Sequence, residues 1–153
     1  MKANDMRLEM AHKEMIERIQ KYEERIVTVL KGHLAAEQAL NDLLRVARRR
    51  WKRPFAGKID VAQKLLLPDL TTEMWDVLKA GNDLRNAVAH GHREGTIAQR
   101  IADVRRALLV WASPPQRPGI ETMTDTQLIS TVFFQCASFV VVATMKLDEQ
   151  KKA

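Results

Sequence analysis

From Met15 onward, apolar residues recur at alternating intervals of four and three: Met15, Ile19, Tyr22, Ile26, Val29, Ala36, Leu40, Leu43 and Ala47, with His33 as the one imidazole in the series. That rhythm holds a single stripe against partner helices, so the spacing predicts one long helix, or two joined near Gly32. The stretch containing Pro54 and Gly57 ends it. "KIDVAQKLLL" reads as a short helix stopped before Pro68, and Thr71 or Thr72 is placed to cap the next, "TEMWDVLKAGNDLRNAVAH". Met74, Val77 or Leu78, Leu84 and Val88 line one side of that helix, and Gly91 is placed to end it. Thr96 with Gln99 has the spacing of a capping box for "IAQRIADVRRALLVW", which "SPPQRPG" closes. Thr124 with Gln127 opens a last apolar helix that fades at "KLDEQKKA".

The fold class expected is therefore all-α: a single bundle of about five helices, with one domain over 1–153 and no linker long enough to divide it. Residues 1–25 form an N-terminal extension of the first long helix. The eighteen uncharged residues "LISTVFFQCASFVVVATM", 128–145, have the length of a membrane span. Ser130, Thr131, Gln135, Ser138 and Thr144 interrupt them, so the preferred reading is a central bundle helix and no membrane partner.

Charge changes the picture once it is located. The net charge is +6, yet residues 1–44 carry 7 bases against 8 acids and residues 59–153 carry 11 against 11. The excess lies in "RVARRRWKRPFAGK", 45–58, with 7 bases and no acid: Arg45, Arg48, Arg49, Arg50, Lys52, Arg53 and Lys58. A concentrated patch of this kind attracts polyanions, and these seven residues are the candidate RNA-binding set. Trp51 and Phe55 interleave with them and are read mainly as core. The single cysteine, Cys136, excludes a disulfide framework and suits a reducing cytosol, and the charged start "MKANDMRLEMAHKE" is unlike a secretory signal, so a cytoplasmic location is expected.

Candidate chemistry sits in "LRNAVAHGH", 84–92. Arg85 and His90, five positions apart, are separated by about 140° around a helix, whereas Asn86 and His90 share a face. One chain aims the arginine and the histidine at one atom only if the helix bends near Gly91, whereas a twofold dimer packed on this helix end would bring two of each into a shared cleft. Metal-free RNA cleavage needs a base for the 2′-OH proton, an acid for the leaving 5′ oxygen and a cation over the phosphate. Histidine serves both proton transfers near neutral pH, and arginine grips phosphate with a planar fork.

"LRNAVAHGH" resembles the Arg-polar-x3-His motif of the HEPN superfamily, helical bundles whose ribonuclease members act as homodimers and cut RNA without metal. "LKGHLAAEQALNDLL" resembles that family's opening helix, and "FAGKIDVAQKLLL" is similar to the following segment of proteins like the mannitol operon repressor; the likeness covers roughly 26–147, the HEPN-like core. The resemblance implies a homodimeric, metal-independent endoribonuclease, a toxin or phage-defence effector, with Arg85 and His90 catalytic and Asn86 assisting. Its products would be a 2′,3′-cyclic phosphate and a 5′-OH. His33, Glu37 and His92 are candidate support for the cleft. His92 stands where toxin members with a nucleotidyltransferase antitoxin carry an adenylylated tyrosine, a departure from that mode of neutralisation. A protein antitoxin or regulatory partner is nonetheless a candidate partner. The alternative implied by the same likeness is a non-catalytic HEPN regulator or adaptor similar to the mannitol operon repressor group. His33, Glu37, His90 and His92 include metal-ligand types but match no catalytic spacing, so neither metal nor other cofactor is expected.

Overall fold

The computed structural model describes residues 2–51 and 54–153; Lys52 and Arg53 of the basic run lie outside the described residues. Six α-helices follow one another: α1 (Lys2–Val46), α2 (Phe55–Gln63), α3 (Thr72–Ala89), α4 (Glu94–Trp111), α5 (Arg117–Thr122) and α6 (Asp125–Lys152), with a 3-10 turn at Pro114–Gln116. Among the described residues there is no strand. The α1 seam is continuous through Gly32, because a glycine there is required by packing: the Phe133 ring of α6 lies where a Cβ would stand, 2.6 Å from it.

Helix α1 packs along α6 and meets α2 and α3, while α3 pairs with α4. Val29, Ala36, Leu40 and Leu43 from α1, Met74, Leu78 and Leu84 from α3, Ile97 and Leu108 from α4, and Leu128, Phe133 and Val140 from α6 form the shared core. Helix α6 is long and apolar enough to cross a membrane by length and composition. Its Leu128, Ile129, Val132, Phe133, Cys136, Val140 and Ala143 are buried in the bundle, while Phe134, Val141 and Met145 stay exposed.

The ends follow local chemistry where tertiary contacts permit. The Thr71 hydroxyl accepts from Met74 N–H at 3.3 Å, and Thr124 and Gln127 form a reciprocal capping box. The box expected at Thr96 and Gln99 does not form. Helix α4 starts earlier, after Arg93, because Glu94 in its first turn is gripped by Arg25 through bonds of 2.9 and 2.7 Å and complements the helix dipole. Helix α2 stops at Gln63, with Leu66 at φ 52° in the turn before Pro68. The "SPPQRPG" closure contains the additional short helix α5, since its prolines are pre-set for the first turn of a helix. Arg105 secures it by donating to the Ile120 and Met123 carbonyls. Helix α6 does not fade at Lys146 but continues to Lys152, where Lys152 pairs with Asp148.

Among the described residues nothing packs on the N-terminal half of the α1 stripe. Residues 2–24 are all exposed, Met15, Ile19 and Tyr22 included, and the bundle begins at Arg25 and Ile26.

Candidate functional site

Helix α3 ends in a Schellman motif. Gly91, at φ +62°, donates to the Val88 carbonyl at 3.2 Å, and His92 donates to that of Ala87 at 3.0 Å. His90 is the last residue before the left-handed glycine, so the chain reverses with His90 and His92 both exposed and their ring centroids 6.1 Å apart. Two residues later Glu94 meets Arg25, which fixes this turn against α1 at the level where the free half of that helix leaves the bundle. The Arg25 bonds hold the Glu94 carboxyl below its ordinary range, and Glu94 in return raises Arg25.

Arg85 points elsewhere, as the 140° separation requires. It is half-buried, its Nη1 donates to Asn86 Oδ1 at 3.3 Å, and its Nε is buried without a partner. Among the described residues no carboxylate pairs with it. On α1 the facing group is His33, 7% exposed, whose ring lies 4.3 Å from that of Phe55 and 6.2 Å from that of Phe133, with Nε2 unpartnered. Burial lowers the His33 pKa, and the Arg85 cation lowers it further; Glu37 and Asn82 oppose this, while Lys58 adds to it. These surroundings favour the neutral form of His33 beside a guanidinium that a second cation would repel.

The set expected from sequence thus divides. Arg85, Asn86, His33 and Glu37 gather where α1 and α3 meet, whereas His90 and His92 stand on the turn beyond them. Lys58 belongs to the first group and not to the basic surface: it is 6% exposed and its Nζ lies 3.4 Å from Glu37 Oε2. Lys58 starts on α2 one turn after Phe55, whose burial carries it inward. Asn82, also buried, joins the group; its spacing of three and four from Arg85 and Asn86 is the sequence signal for it. The small cavity of about 260 Å³ beside Asn82 is lined by Asp60 and Asp83 together with Lys79. Among the described residues, no three histidines, cysteines or carboxylates gather as a metal site.

Arg45, Arg48, Arg49 and Arg50 are exposed at the C-terminal end of α1, Arg45 bonded to Asp42 at 2.9 Å. Arg48 adopts φ 55°, and Arg49 N–H reaches back to the Leu44 carbonyl at 2.9 Å, so α1 stops as α3 does but without a glycine. Trp51 is exposed beside them, contrary to its expected core position, while Phe55 is buried. About twenty residues of α1 separate this patch from Arg25 and the histidine turn, roughly 30 Å of helix, so a single chain does not join the two. Comparison with protein-family models, curated proteins and solved structures finds no match to this chain.

Proposed function

We propose that the chain is a metal-independent endoribonuclease of HEPN type, acting as a dimer in which Arg85 and His90 from two copies complete a shared cleft. The observation that carries this reading is Arg85: a half-buried guanidinium with no carboxylate partner among the described residues, its Nε unpartnered, held beside Asn86. A cation left so incompletely compensated is a receptor for an anion, and phosphate fits its fork. The exposed imidazoles of His90 and His92, on the turn that ends α3, supply nitrogen atoms able to give and take a proton. In the reaction, one imidazole removes the 2′-OH proton while the 2′ oxygen attacks phosphorus. Another protonates the departing 5′ oxygen, leaving a 2′,3′-cyclic phosphate and a 5′-OH. Arg85 neutralises the crowded phosphate, Asn86 holds the guanidinium in place, and the exposed arginines at 45 and 48–50 supply long-range attraction for the strand.

The test is incubation of purified protein with mixed RNA and a chelator, followed by end-group analysis. Cleavage that survives chelation and falls by at least about 10²-fold in His90→Ala is expected. Arg85→Lys is expected to fall as well, since lysine lacks the fork. A second reading, a non-catalytic regulator using the same helix end as a binding surface, is favoured by the divergence of Arg85 and His90 within one chain. Absence of cleavage by wild type and His90→Ala alike would establish it over the first.

A further inference from the structure

The free half of α1 continues a seam that is fully used lower down, and among the described residues no other element reaches it. A helix of this length keeps its form chiefly by packing an apolar face, and here Leu8, Met15, Ile19 and Tyr22 present one to solvent. We infer that this face is covered by the same segment of a second copy, the two helices running antiparallel from residue 2 to residue 25.

Direction follows from the space available. A parallel partner would continue past residue 26 into the volume where α3 and α6 already pack on the seam at Val29, Ala36 and Leu40. An antiparallel partner runs the other way and carries its own bundle beyond the first residues of α1. Register follows from the side chains. Leu8 of one copy set against Ile19 of the other gives a twofold centre between Lys13 and Glu14, and places His12 against Met15 and Asp5 against Tyr22. At the flanks Ala11 then faces Arg18, and Glu9 faces Ile16, so the only like charges brought level are Lys2 and Arg25 at the two ends of the pairing. Moving one heptad onward would set Arg18 against its own copy and Glu9 against Glu23, and would drive the first residues into the neighbouring bundle. In the chosen register Lys2 comes opposite Arg25, where the bundle starts, so the apolar match and the free length give the same answer. A cavity of about 660 Å³ lined by Ile19, Tyr22, Arg25 and Glu94 lies where the first turns of the other copy would lodge.

The two Arg25–Glu94 junctions would stand about 34 Å apart along this pairing at 1.5 Å per residue. It is therefore a different interface from the one that would gather Arg85 and His90, and it stands or falls independently of the ribonuclease reading. Light scattering on the full chain, wild type against Met15→Glu/Ile19→Glu, tests it: the double variant should have half the wild-type mass, with its bundle intact because both side chains are exposed. Spin labels at Lys13→Cys and Glu24→Cys test direction. The antiparallel register expects about 20 Å or less between labels at 13 and about 35 Å at 24. Equal masses, or short distances at both positions, would overturn the inference. Loss of RNA cleavage without change in these distances would bear on the proposed function alone.

Discussion

Gly32→Ala is expected to destabilise the protein even though it improves helix propensity. Alanine in a helix interior is favoured over glycine by about 1 kcal/mol, which taken alone would raise the melting temperature. At this position the new methyl would lie 2.6 Å from Phe133 Cδ2, 2.8 Å from its Cβ and 2.9 Å from its Cγ. Rotating the ring relieves the first contact but not the second, because Cβ is fixed by the α6 backbone. Overpacking of this kind costs about 1–3 kcal/mol, and α1 and α6 form the most extensive helix pair in the molecule, so separation to relieve it disturbs the whole seam. The net expectation is a loss of up to about 2 kcal/mol, or up to about 6 °C in melting temperature for a chain of this size. Gly81 on α3 is the control: a methyl there meets the edge of the same ring at 3.1 and 3.2 Å, atoms that can shift by a few tenths of an ångström. Gly81→Ala should therefore stay within about 0.5 kcal/mol of wild type, with propensity and crowding nearly cancelling. Phe133→Leu in the Gly32→Ala background should recover part of the loss, giving a coupling of about 1 kcal/mol in a double-mutant cycle read by urea denaturation. A Gly32→Ala protein more stable than wild type, or strict additivity with Phe133→Leu, would refute the reasoning.

Three further outcomes are expected. Burial and the neighbouring Arg85 cation lower the His33 pKa, so the unfolded chain binds this proton more readily; stability should fall as pH drops below about 6.5, and His33→Phe should flatten that dependence in denaturant midpoints taken from pH 7.5 to 5. Arg48→Gly removes a side chain from a left-handed backbone position and should raise stability by about 1 kcal/mol, measured by thermal unfolding; an unchanged midpoint would contradict the strain argument. In filter binding at varied salt, Arg49→Gln/Arg50→Gln should weaken RNA binding and reduce the salt slope by about 1–2, whereas Lys58→Met should leave the slope unchanged because its ammonium faces Glu37 inside the protein.

Much of the framework was legible because it rests on short-range rules. The four-three spacing fixed the face of α1, Thr71 and the Thr124–Gln127 pair marked helix starts, and Gly91 marked a stop that no other residue type adopts so cheaply. The misread features depend on distant partners. Thr96 and Gln99 have the right spacing for a cap, but Arg25, 69 positions away from Glu94, sets where α4 begins. Lys58 looks like one more cation in a basic run until the burial of Phe55 and the position of Glu37 turn it inward. The same limit applies to the candidate site. Spacing alone gave the divergence of Arg85 from His90, whereas Asn82 and the shielded state of His33 required knowing that α1 and α3 meet there. For the outer half of α1, the periodicity identifies an apolar stripe without indicating that none of the described residues covers it.

Helix α1 is one unbroken rod of 45 residues, and the Arg25–Glu94 clamp sits about midway along it. Only the inner half is held on several sides, with His33 set against Phe55 and Phe133, so the outer half leaves the clamp as a bare arm of about 34 Å. A bend of about 10° at the clamp would carry Lys2 through about 6 Å without moving the packed half.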